Sequence, residues 1–167
     1  MFSEAEAKEE ILYFLNKDIS TKAVFEIKSI RLSPRKDFWM AQADVVHPFP
    51  KPAGAWGYIL DNNNGAVIVC GYDQAPQDYV QDIYDLEEAK DLSYVLINDP
   101  ESSKSVIPKM KNTFGLNSMQ ALNLFKGKRH WCEGSKRHLK SIQVLMEDMG
   151  IPLKLNLVEN PNPILKV

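Results

Sequence analysis

Residues 94–158 read YVLINDPESSKSVIPKMKNTFGLNSMQALNLFKGKRHWCEGSKRHLKSIQVLMEDMGIPLKLNLV, and this stretch decides the fold. Tyr94 begins a strand. Val106, Ile107 and Met110 follow at helical spacing, with Asp99 or Ser102 as the cap. Gly115 stops that helix, because glycine takes the left-handed conformation at a helix end without a Cβ penalty. Asn117 or Ser118 starts a second helix through Ala121, Leu122 and Phe125. After a link, Ser135 caps a third helix, with Leu139, Ile142, Leu145, Met146 and Met149 on one face and Gly150 past its end. Residues 152–158 alternate, Leu153, Leu155 and Leu157 sharing a face, as a half-buried strand does. The tail Asn160-Pro161-Asn162-Pro163 reads as loose. This unit begins near Leu92.

Working outward, Ser3 and Glu6 form a capping box, and Ala7, Ile11, Phe14 and Leu15 recur at helical spacing behind it. Residues 24–32 alternate as a strand, Ser33–Asp37 is a turn, and residues 38–46 make a second strand. His47-Pro48-Phe49-Pro50-Lys51-Pro52 is a stiff connector, since proline lacks the N–H that a sheet ladder requires. Strands at 56–60 and 66–70 are joined by Asp61-Asn62-Asn63-Asn64-Gly65, because Asn and Gly tolerate the positive φ of tight hairpins. Ala75-Pro76 opens a helix through Tyr79, Ile83 and Leu86. The reading is α+β throughout: a helix packed on an antiparallel sheet in residues 1–90, then a strand–helix–helix–helix–strand unit in 91–167.

Two resemblances rest on these residues. The phrase SVIPKMKNTFGLNSMQALNLF resembles the C-terminal domain of the bacterial ribosomal stalk protein, a docking module whose first two helices carry V-I-K-x-x-R-x-x-T-G-L-x-L-x-E-A-K-x-L-V. Lys111 keeps the place of the family's arginine. Pro108 and Leu122 replace basic residues, and Gln120 replaces the acidic residue before the alanine. The resemblance implies a protein-binding fold with its contacts to translation GTPases altered. Residues 57–89, GYILDNNNGAVIVCGYDQAPQDYVQDIYDLEEA, resemble the end of the YrhB-like domain common among bacterial toxin-immunity proteins. The matching positions are Ile59-Leu60-Asp61, Gly65, Gly71, Pro76, Tyr79 and Tyr84. Residues 33–54 fit that pattern poorly.

The 167 residues carry 22 acids and 20 Lys or Arg, a net charge of −2. The balance is uneven: residues 1–90 hold 15 acids and 9 bases, residues 91–167 hold 7 and 11. No stretch reaches the ~18 apolar residues of a membrane helix. The polar, acidic start MFSEAEAKEE is no secretory signal, and two cysteines make no disulfide framework, so the cytoplasm is the expected compartment.

Chemistry-bearing residues are few. His130, Cys132 and His138 supply three metal-ligand types, but a zinc site needs four with short paired spacings, so they read as surface or partly packed residues and no metal or cofactor is implied. Cys70, in an apolar strand, reads as core filler. Lys126, Lys128, Arg129, His130, Trp131, Lys136, Arg137 and Lys140 form a basic run around an aromatic. The acidic chain and the missing RNA-binding signature argue against nucleic acid, and Trp131 is expected to pack under the link. Asp73, Asp78, Asp82, Asp85, Glu87 and Glu88 make the helix after Pro76 strongly acidic. They form either a docking face for a basic partner or a solvated surface with no sign of burial. No catalytic constellation is visible. The expectation is a monomeric, non-enzymatic immunity protein that binds a cognate toxin through the acidic helix. The alternative is a translation-associated protein that contacts a ribosomal GTPase.

Overall fold

The computed structural model describes residues 1–17, 24–47, 56–70 and 74–166. The fold is α+β, with five helices and two four-stranded sheets among those residues. The chain divides into two compact units, Met1–Ile83 and Tyr84–Val167.

In the first unit, α1 (Glu4–Lys17) opens with the Ser3–Glu6 box: Ser3 N–H donates to Glu6 Oε2 at 2.7 Å and Glu6 N–H to Ser3 Oγ at 3.3 Å. The Ser3 hydrogen bonds hold the Glu6 carboxyl below its ordinary range. Ala7, Ile11 and Leu15 face inward. Strands β1 (Val24–Leu32), β2 (Phe38–His47), β3 (Trp56–Asp61) and β4 (Val67–Val69) form an antiparallel meander in that order. Pairing Trp39 with Leu60 and Ala41 with Tyr58 brings the residues of one face together, and these pack with α1 into one core. The alternation of β1 is imperfect in sequence, since Ile27 and Ile30 lie three apart. A bulge at Lys28, between Ile27 and Ser29, restores the parity, so both join the core.

The other face of β2 and β3 buries Met40 and Ile59. There Gly57 lies beneath Pro76, the first residue of α2 (Pro76–Ala89). A Cβ on Gly57 would sit 2.9 Å from Pro76 Cγ and Cδ and 3.2 Å from Cys70 Cβ.

The turn at 61–65 works differently from its sequence reading. Only Gly65 takes a positive φ, at 77°. Asn62 is buried and acts as a polar hub. Its Oδ1 accepts from Phe2 N–H at 2.7 Å and Trp39 Nε1–H at 3.2 Å, and its Nδ2 donates to Lys36 O at 2.8 Å. Residues 48–52 of the Pro-rich connector lie outside the described residues.

In the second unit, β5 (Ser93–Asn98), β6 (His130–Glu133), β7 (Leu153–Val158) and β8 (Pro163–Lys166) form a mixed sheet ordered β7-β5-β6-β8. Helices α3 (Val106–Phe114), α4 (Ser118–Phe125) and α5 (Lys136–Asp148) complete it. Gly115 ends α3 at φ 61°, and Gly150 follows α5 at φ 72°. Asn117 caps α4 in a box with Gln120, and Ser135 caps α5. The N-cap of α3 is Ser105, with no side-chain capping bond, rather than Asp99 or Ser102.

Two strands depart from expectation. The link contains β6, and the tail contains β8, which pairs parallel to it. Asn162 N–H donates to His130 Nδ1 at 3.0 Å, His130 N–H to Asn162 O at 3.0 Å, and Arg129 Nη2 to Pro163 O at 2.7 Å. Proline suits the first residue of an edge strand, where its missing N–H breaks no ladder bond. Trp131 is buried and meets Phe114 edge-on at 5.0 Å.

Candidate functional site

An α-helix advances 100° per residue, so Asp78, Asp82 and Asp85 share one face of α2 while Glu87 points away from it. Asp73 lies outside the described residues. Asp78 and Asp82 are half-buried, and Asp82 accepts from Gln74 Nε2 at 2.8 Å.

Asp85 corrects the sequence reading, which saw no sign of burial. It is only 6% exposed, and Lys136 Nζ lies 3.1 Å from its Oδ1. The same ammonium is 2.6 Å from Glu88 Oε2 and 5.4 Å from the centroid of the Tyr94 ring. Tyr94 Oη donates to Asp85 O at 3.0 Å and lies 3.2 Å from Glu88 Oε2. The hydrogen bonds that Lys136 donates to Glu88 and Asp85 hold it well above the ordinary lysine range, against the opposing effect of burial. Burial pushes the Tyr94 phenol up. This clamp ties the end of α2 to β5 and α5, so Asp85 is structural. Its partner lies 51 residues away, beyond any local sequence pattern.

Beyond the clamp, α2 is followed by Lys90, a non-glycine residue at φ 53°. An open groove of about 640 Å³ follows, lined by Glu88, Ala89, Lys90, Asp91, Leu92, Glu159 and Asn160. Glu88 is already paired with Lys136, so Asp91 and Glu159, against the one ammonium of Lys90, give the groove its acidic balance. The register brings them together: Ser93 pairs with Val158, which sets residue 159 beside the approach to β5. Sequence reasoning missed Asp91 and Glu159, because the pairing of two distant strand ends is their only signal. A smaller groove of about 260 Å³ in the first unit is lined by Ser29, Arg31, Met40, Ala41, Gln42, Pro76 and Gln77.

Among the described residues, no group of three or more His, Cys, Asp or Glu is placed to hold a metal ion. His130 is occupied by Asn162, Cys132 is buried and His138 is exposed. Burial pushes the thiols of Cys70 and Cys132 up to about 11, which leaves them protonated and poor nucleophiles at neutral pH. Asp99 is held below the ordinary carboxylate range by the Glu101 N–H and Lys154, the opposite of what a general acid requires. No helix among the described residues is long and apolar enough to cross a membrane.

No protein family model, curated protein or solved structure matches the chain.

Proposed function

We propose that this chain is a non-catalytic binding protein that neutralises a basic antibacterial toxin domain, an immunity protein acting in the cytoplasm of the toxin-producing cell. The observation that carries the reading is the open groove lined by Asp91 and Glu159 beside the Lys136-paired Glu88. A concave surface in which one sign of charge predominates focuses the field, raises the local concentration of an oppositely charged partner and speeds its docking. The partly exposed Asp78 and Asp82 add to the acidic character of α2. The resemblance of residues 57–89 to the YrhB-like domain points to the same class of partner.

The test is growth rescue. If a gene beside this chain encodes a basic toxin domain, cells producing that toxin should survive when the chain is co-expressed. The Asp91→Lys/Glu159→Lys variant should associate with that toxin far more slowly at low salt, and the difference should shrink with added salt as the Debye length falls from about 30 Å at 0.01 M to about 8 Å at 0.15 M. Absence of rescue by the wild-type chain overturns the immunity reading. Rescue with equal association rates overturns the acidic groove alone.

One observation favours the translation reading. Lys111 is exposed on α3, its Nζ 3.3 Å from Ser118 Oγ, at the place of the stalk family's arginine. Copurification of an elongation factor in the absence of any toxin, lost in Lys111→Ala, would establish that reading instead.

A further inference from the structure

The outward face of α5 is unusual for a helix at the surface. Val144, Leu145 and Met149 are 60%, 55% and 44% exposed. The sequence reading put Leu145 and Met149 on the buried face. Instead Leu139 is buried, with Ile142 and Met146 packed against the same core. At 100° per residue, Arg137, Ser141, Val144, Leu145 and Asp148 line the opposite side, with Lys140 and Glu147 together along one flank.

The charges on this helix run against its dipole. Lys136, Arg137 and Lys140 stand in its first half, and Glu147 and Asp148 in its last turn. A helix favours acids at its N-terminus and bases at its C-terminus, so this order disfavours an isolated α5. The same order is self-complementary. When two such helices run antiparallel about an axis between Val144 and Leu145, Val144 of each meets Leu145 of the other. Along the flank, Lys140 of each copy then faces Glu147 of the other, and Ser141 faces Asp148. The two dipoles also oppose. A parallel pair would instead carry the Lys140–Glu147 flanks of the two copies to opposite sides, so these charges would not meet.

We infer that α5 is an isologous docking surface for a second copy of this chain, joined antiparallel through Val144 and Leu145 with paired Lys140–Glu147 contacts. The inference is independent of the immunity reading and departs from the monomer expected from sequence. A 13-residue helix is about 20 Å long. That is short for the ~800 Å² per partner of a standard interface, so the dimer belongs to the weak class, with a Kd in the micromolar range or above.

The experiment is sedimentation of the full chain from about 5 to 500 µM, a range that brackets such a Kd. The weight-average mass should rise from 19.0 kDa toward twice that value. Lys140→Glu and Glu147→Lys each create two like-charge contacts and should each weaken the dimer about tenfold or more. Combined, they should restore it to within about threefold of wild type, because the contacts re-form with their signs exchanged. Leu145→Asp should abolish it. Circular dichroism should stay unchanged for all four variants, since the substituted residues are exposed. The double variant aligns the charges of α5 with its own dipole, so a failure to restore cannot be assigned to unfolding. A wild-type chain that stays monomeric throughout the range overturns the inference. So does a double variant no tighter than either single one.

Discussion

Lys136→Met should be the most informative single change in the second unit. It keeps most of the side-chain volume and removes the charge beside Asp85 and Glu88. At 3.1 Å and an effective dielectric of ~20, the Lys136–Asp85 attraction is about 5 kcal/mol before desolvation is subtracted. Breaking a fully buried pair costs about 3–5 kcal/mol, because the remaining charge is stranded. Here the Asp85 side chain is 9% exposed but Glu88 is 56% exposed, so water relieves half of the clamp. The expected loss is therefore about 2–3 kcal/mol, or roughly 5–10 °C in Tm if all 167 residues unfold together. Urea unfolding monitored by the buried Trp131 measures it. In a double-mutant cycle with Asp85→Asn, the double variant should lose less than the sum of the single losses. The folded pKa of Lys136 is raised, so its contribution is fully present below the unfolded value near 10.4 and fades only as pH climbs through the folded one. The gap between wild type and Lys136→Met should thus be flat from about pH 6 to 9. A loss under ~0.5 kcal/mol, or strictly additive effects, would refute the clamp as an anchor for α2.

Asn62→Ala strips acceptors from Phe2 and Trp39 and a donor from Lys36, and should destabilise the first unit by about 2–3 kcal/mol in thermal unfolding. Gly57→Ala should cost about 1–3 kcal/mol through overpacking against Pro76, read by denaturant midpoint. Gly115→Ala meets no atom within 4 Å, so its loss of about 1 kcal/mol should come from the positive φ alone and be partly recovered in Gly115→Asn. Both cysteines should resist a thiol reagent at pH 8 in the folded chain and react at once in guanidinium, because each is buried with its pKa near 11.

Features set by local rules were legible in the sequence. The Ser3–Glu6 box, the glycine stops at 115 and 150, and the cap at Ser135 each involve residues within a turn of one another, and each stands where its pattern puts it. Features made by distant pairing were not. Strand β6 spans four residues inside a basic run, and β8 hides behind two Asn-Pro steps that read as loose chain. Asp85 illustrates the same limit at the candidate site. On α2 it is one acid among several, and only Lys136 and Tyr94 reveal that it is committed to the fold. The boundary near residue 90 was placed at the end of α2, whereas the units divide within that helix, after Ile83. Val80, Tyr84 and Ala89 are all buried along that helix, but of these only Ala89 joins the core of the second unit.

The close approach of Gly57 to Pro76 couples two positions 19 apart in sequence. A ring within 2.9 Å of where a β-carbon would go means that the glycine cannot vary while the proline stays. A homologue with alanine or serine at the first would need a smaller or differently placed residue at the second. One that keeps the proline should keep the glycine. The pair therefore predicts a correlated substitution pattern, and that pattern offers a signature for finding distant relatives in which the surface acids have drifted beyond recognition.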